Sequence, residues 1–114
     1  MIEDVVEKLR LEVRRGAIVI AVLAQLETEH YGYSLRKNLN DAGVSIEEGT
    51  LYPLIRRLEK QGLLTSEWRE EGKRNKRFYR LSSDGRAALE TLSRDWRDLN
   101  DSITSLMPSE YSRS

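Results

Sequence analysis

The stretch EEGTLYPLIRRLEKQGLL, residues 47–64, places a proline within an amphipathic helical pattern. Leu51, Leu54, Ile55 and Leu58 recur at helical spacing, and Gly62 supplies the stop. Proline has no N–H to donate, so a helix tolerates it best in the first turn, where that donor has no partner anyway. This places Thr50 as N-cap and Leu51, Tyr52 and Pro53 in the first turn. Ser45-Ile46-Glu47-Glu48 fits a rival capping box. The reading adopted is a single turn over 45–49, a reset at Gly49-Thr50, and a main helix to about Gln61.

At ~100° per residue, the four apolar side chains gather in one arc. The opposite arc holds Pro53, Arg56 and Lys60, flanked by Tyr52 and Arg57. Long cationic donors on a helix whose free N-terminal N–H groups favour anions suit a nucleic-acid major groove.

Net charge is zero across 114 residues, yet its distribution is lopsided. Residues 52–80 hold nine Lys/Arg against four acids, a net of +5, and the remainder carries −5. Local field, not total charge, attracts phosphate. Within this segment LLTSEWR and RFYRLS alternate apolar and polar residues around EEGKRNK, which predicts a two-stranded hairpin with a long basic loop. Lys73, Arg74, Lys76 and Arg77 fall at its tip. A basic loop beside a groove-reading helix is how a wing grips the flanking backbone.

Elsewhere, Val5, Val6, Leu9 and Val13 mark a short amphipathic helix over 3–13. AIVIAVLAQL, after Gly16, predicts a second helix over about 16–28, apolar nearly all round and the most buried. Tyr31-Gly32-Tyr33-Ser34 is read as a turn, and Leu35 and Leu39 as a short helix ending at Asp41-Ala42-Gly43. Ser82 or Ser83 caps a last helix running to about Met107. The expected fold is mainly α with a small β-hairpin (α+β). A winged helix-turn-helix domain with its N-terminal helix occupies 1–81, a C-terminal helix 82–107, and a flexible tail 108–114.

With helices followed by a wing, the chain resembles the PadR family of winged-helix transcriptional regulators. The matching residues are YGYSL (31–35), GTLYPLIRRLEKQGLL (49–64), the basic wing and FYRLSSDG (78–85). The resemblance covers about residues 12–106. It implies a homodimeric bacterial regulator, usually a repressor, on a near-palindromic double-stranded DNA operator. It also implies that Thr50, Tyr52, Pro53 and Arg56 approach the DNA, with Tyr31 and Tyr33 touching phosphates and the wing along the backbone. Where family members carry a threonine in an L-T-x-x-G element, this chain has Ser82, which caps a helix equally well.

The last helix carries Leu89, Leu92, Trp96, Leu99, Ile103 and Leu106 at spacings of 3 and 4. That heptad-like stripe is longer than a small domain covers, so the same helix of a second copy is the expected partner, with Val5 and Leu9 of the first helix packing across it. In some members of the resembled family a tryptophan here sandwiches flat aromatic drugs. Trp96 is thus the candidate contact for a small aromatic effector, against the plainer reading of a residue filling a dimer interface. Trp68 is expected to pack on the last helix.

The composition argues against other classes. There is no cysteine and one histidine, His30, read as a surface residue, so no metal site or cofactor is expected. Glu47/Glu48 and Glu70/Glu71 are adjacent pairs and do not face each other across a cleft, so no catalytic couple and no enzyme is expected. No apolar run approaches the ~18 residues of a membrane span, and the start resembles no signal peptide, which suits a cytoplasmic protein. The alternative function is a winged-helix protein-interaction module that turns the same basic face to an acidic partner.

Overall fold

A computed structural model describes residues 1–109 of the chain. The elements run α1 (Ile2–Gln25), β1 (His30–Tyr31), α2 (Gly32–Asp41), α3 (Glu48–Lys60), β2 (Leu64–Glu71), β3 (Arg74–Leu81) and α4 (Ser83–Leu106). The strands form one antiparallel sheet in the order β1-β3-β2. The α+β winged-helix architecture expected from the sequence is thus present.

One core holds these elements together. Val22, Leu23 and Leu26 from the end of α1 meet Leu35 and Leu39 of α2, and Leu51, Ile55 and Leu58 of α3. Leu64, Tyr79 and Leu81 from the sheet and Leu89 from α4 close it. The residues that the periodicity of α3 marked as inward are buried, with Leu54 half-buried.

Two expectations about helix ends are corrected. The separate helices over 3–13 and 16–28 are one continuous α1, because Gly16 weakens a helix by only ~1 kcal/mol and does not by itself break it. Only the end of α1 is fully buried. Next, α3 starts at Glu48 with Glu47 as N-cap, and neither Ser45 nor Thr50 caps it. Pro53 is therefore the sixth helical residue, outside the first turn. It withholds one hydrogen bond from the carbonyl of Gly49. Both residues are exposed, so water can satisfy that oxygen at little expense. At the far end Gly62 takes φ +84°, with Leu63 N donating to Leu58 O at 3.0 Å and Gly62 N to Glu59 O at 2.9 Å. This left-handed cap stops α3 where the sequence placed the stop.

The hairpin loop is also shorter than expected. Glu71 pairs with Arg74, leaving only Gly72 and Lys73 as the turn. Gly72 has φ +67° and Lys73 a negative φ, the type II′ pattern that matches strand twist. Arg74, Lys76 and Arg77 thus lie on β3 itself and Lys73 in the tight turn. β1, read in sequence as part of a turn, adds a third strand through His30↔Tyr79 and Tyr31↔Phe78.

Ser82 caps α4, its Oγ accepting from Gly85 N at 2.9 Å. The same hydroxyl donates to Gly62 O at 2.6 Å, tying the starts of wing and last helix together. α4 packs on α1, but its burial decays along the helix: Leu89 is 6% exposed and Leu106 83%. Val5, Val6, Leu9 and Val13 on α1, with Trp96, Leu99 and Ile103 on α4, stay exposed. The radius of gyration is 16.5 Å, against about 13 Å for a compact domain of this length. The chain is a packed head with two apolar arms. Of the tail expected over 108–114, residues 110–114 lie outside the described residues, and Pro108 and Ser109 are exposed.

Candidate nucleic-acid interface

α2 and α3 form a helix-turn-helix, joined by a short turn that Asn40 organises by accepting from Ile46 N at 3.1 Å. Arg36 of α2 pairs with Glu48 in the first turn of α3 at 3.2 Å, fixing one helix against the other. From α1, Arg14 donates to Ser45 O at 2.6 Å, so the turn is held from behind as well.

The outer surface of α3 is a ridge between two grooves. On the α1 side, Thr50, Pro53 and Arg57 face Arg15, Ile18 and Val19. On the wing side, an open cleft of about 400 Å³ is lined by Tyr31, Tyr33, Tyr52, Arg56, Trp68, Arg74, Lys76 and Arg77. Pro53, Arg56, Arg57 and Lys60 are exposed, as the helical wheel required. Arg56, Arg57, Lys60, Lys73 and Arg74 make no ion pair or hydrogen bond to another side chain among the described residues. Their charge is uncompensated by contact and open to an anion.

Several expected contacts are already engaged. Tyr52 is half-buried against α2, where a Cβ on Gly32 would come within 2.6 Å of its ring. The glycine of YGYS is what leaves room for that ring at the start of α2. Lys76 sits 4.3 Å over the ring of Tyr31 and bonds Glu71 at 3.1 Å, and that carboxylate pushes its ammonium pKa up. Arg77 turns inward, donating to Glu59 Oε1 at 2.8 Å and to Ser66 Oγ at 2.9 Å. Arg69, which the sequence reading did not single out, is bidentate to Glu29 and also bonds Glu67. The Glu29 carboxyl is held below the usual range by that bond. Tyr33 is exposed and stacks at 6.4 Å on Tyr31.

Trp68 corrects the expectation that it packs on the last helix. It is 65% exposed on β2, with the Arg77 guanidinium 5.7 Å from its ring centre. Strand alternation puts it on the face of β2 that looks toward α3. His30 is not a plain surface residue either. Its half-buried ring lies within bonding distance of Gln25, Thr28 and Ser34, and burial lowers its pKa.

At the other end of the molecule, Trp96 is half-exposed over an open groove of about 450 Å³ between α1 and α4. Val13, Gly16, Ala17, Ile20, Leu92 and Leu99 line it, with Glu12 and Asp95 at its edge. No helix of the described residues is long and apolar enough to cross a membrane.

Comparisons with known proteins agree with this geometry. Residues 19–91 match the transcriptional regulator PadR-like family. A PadR family transcriptional regulator from Eggerthella lenta is similar in structure at a TM-score of 0.85, with 44% identity over 94% of this chain and 96% of that one. A transcriptional regulator of Clostridium thermocellum follows at 0.75 and 29% identity, covering 85% and 99% of the two chains. A transcriptional regulator of Mycobacterium tuberculosis is 40% identical over 79 residues, 68% of this chain and 74% of that protein. A helix-turn-helix with a basic outer ridge, a wing beside it, and these relatives together place the chain in the PadR-like family of transcriptional regulators, which are DNA-binding proteins and not enzymes.

Proposed function

We propose that the chain acts as a homodimeric repressor of a near-palindromic operator, with α3 entering the major groove and the wing following the flanking backbone. The observation that carries this reading is the set of unpaired cations, Arg56, Arg57 and Lys60 on the ridge and Lys73 and Arg74 on the wing. Arg56 and Lys60 reach base edges. Thr50, Pro53 and Arg57 border the ridge on the α1 side, and Tyr31, Tyr33 and Tyr52 line the wing side with Lys76. Such a regulator works in the cytoplasm, where a bacterial chromosome is.

The arms support the two-fold assembly. Leu99, Ile103 and Leu106 on α4 and Val5 and Leu9 on α1 offer water an apolar stripe that a second copy would cover. Residues 82–107 are then the dimerisation helix of a DNA-binding head formed by 1–81. A dimer sets two reading helices about one DNA turn, ~34 Å, apart. The groove under Trp96 would lie near the symmetry axis, where its apolar walls and the carboxylates of Glu12 and Asp95 suit a flat aromatic cation. An effector there releases DNA only by binding the free state more tightly than the DNA-competent one. Titrating planar cationic dyes into a Trp68→Phe variant reads Trp96 alone, and unchanged emission would leave that residue a packing element.

Selection of bound sequences from random duplexes tests the whole reading. An inverted repeat with half-sites one turn apart is expected. Binding to any duplex alike, indifferent to Arg56→Ala, would favour a protein-interaction module instead.

A further inference from the structure

One acid interrupts the basic ridge. Glu59 lies in the last turn of α3, between Arg56 and Lys60 in sequence, half-buried on the flank of the ridge that faces the wing. Coulomb repulsion alone makes a carboxylate there unfavourable for binding DNA. Its contacts explain why it is present. Glu59 Oε1 accepts from Arg77 Nη2 at 2.8 Å, its Oε2 accepts from Ser66 Oγ at 2.6 Å, and Arg77 Nε donates to Ser66 Oγ at 2.9 Å. The result is a closed triangle linking α3, β2 and β3. The guanidinium lies 5.7 Å from the centre of the Trp68 ring and 5.4 Å from that of Tyr79. Side-chain exposure is 35% for Arg77 and 25% for Glu59. In every other ion pair among the described residues at least one partner is more than 40% exposed.

The triangle also sits at a mechanically telling place. Beyond Ser66 the residues of β2 are all exposed, and a lone two-stranded hairpin is marginal in water. Lys73 and Arg74 lie three to four residues outboard of Arg77, about 10–13 Å along a strand. Ten degrees of play at the triangle would move them by about 2 Å, enough to break a hydrogen bond to a phosphate oxygen.

We infer that Glu59 and Arg77, through Ser66, are positioning residues that fix the angle between the wing and α3, so that both engage one stretch of operator. This rests on the proposed DNA-binding role and assigns Arg77 to holding the wing, not to touching phosphate.

The test measures anisotropy of full-length protein on the selected duplex and on a scrambled duplex of equal length, across a salt series. A wild-type protein that prefers no sequence would defeat the operator reading before any variant is made. Given preference, Glu59→Gln is expected to bind the selected duplex about tenfold more weakly and the scrambled one no more weakly. Arg77→Gln should do the same with an unchanged salt slope, and the double variant should lose no more than either single one. Tighter binding of Glu59→Gln to both duplexes would overturn the inference, because the acid would then be only repulsive. So would an Arg77→Gln slope flatter by about 1, the mark of a lost phosphate contact. Ser66→Ala, which removes one hydroxyl, should give a smaller loss of the same kind even if the charge variants fold poorly. Wild-type discrimination by Ser66→Ala would count against the clamp.

Discussion

The head and the arms of this molecule use apolar residues in opposite ways. In the head, Leu51, Ile55 and Leu58 are hidden and the polar face of the same helix meets water. In the arms, Leu99 and Leu106 on α4 and Val5 and Leu9 on α1 remain more than half exposed. Both patterns are amphipathic, and sequence periodicity reads them alike. The difference lies in whether the chain itself supplies the facing surface. Where it does, periodicity reports a core; where it does not, it reports an exposed apolar face, which the proposed dimer would cover.

The sharpest way to break the comparison is to damage the head alone. A Cβ on Gly85 would lie 1.9 Å from the Leu63 carbonyl oxygen, and backbone cannot yield that distance cheaply. Gly85→Ala should lose at least about 3 kcal/mol in denaturant unfolding, at any protein concentration. An arm substitution should behave differently. Leu99→Asp leaves the head's core untouched, yet in a two-fold dimer it acts twice. A weakening of dimerisation by roughly 100-fold is expected, seen in sedimentation as a shift toward 13.2 kDa. If Leu99→Asp instead unfolds the head, or the wild type already sediments as a monomer, the division into head and arms fails.

Within the head, the comparison sharpens to ridge against wing. Arg56→Ala should relax preference at one base pair of each half-site, by about 1–3 kcal/mol of discrimination. Lys73→Ala should weaken all duplexes alike and flatten the salt slope by about 1. Identical behaviour of the two variants would erase the distinction between reading and gripping.

Much of the head was legible because its signals are local. The α3 stripe, the Gly62 stop and the +5 segment all lie within a few turns of one another, and each has one physical reading. What escaped depends on distant partners. β1 is a two-residue strand that exists only because β3 arrives almost fifty positions later to pair with it. The basic cluster at 73–77 looked uniform, yet Arg77 is drawn inward by Glu59, eighteen residues away. Composition cannot tell a free arginine from a clamped one. Trp68, expected on the last helix, lies beside that clamped guanidinium instead. Gly16 and Pro53 misled in another way: both weaken helices on average, but each sits at an exposed position where the surrounding helix tolerates it.

The joint between arm and head offers the smallest effect and the finest probe. His30 touches Gln25 at the end of α1 through Nε2 at 3.3 Å, and Ser34 at the start of α2 through Nδ1 at 3.1 Å. The Ser34 hydroxyl donates to the Tyr31 carbonyl, so its oxygen is left to accept from Nδ1–H. Nε2 is then free to accept from the Gln25 amide, with Thr28 Oγ1 3.2 Å from the same nitrogen. Burial disfavours the imidazolium, and the folded pKa falls below the ordinary 6.5. The unfolded chain therefore binds the proton more readily than the folded one. The stability that neutral His30 contributes is full above about pH 6.5 and is lost as pH falls toward the folded pKa. With only one histidine in the chain, a single imidazole resonance reports that value directly. A midpoint at or above 6.5, or a melting temperature that falls equally on acidification in His30→Gln, would show that the joint is open to water and that head and arm are less firmly joined than these bonds imply.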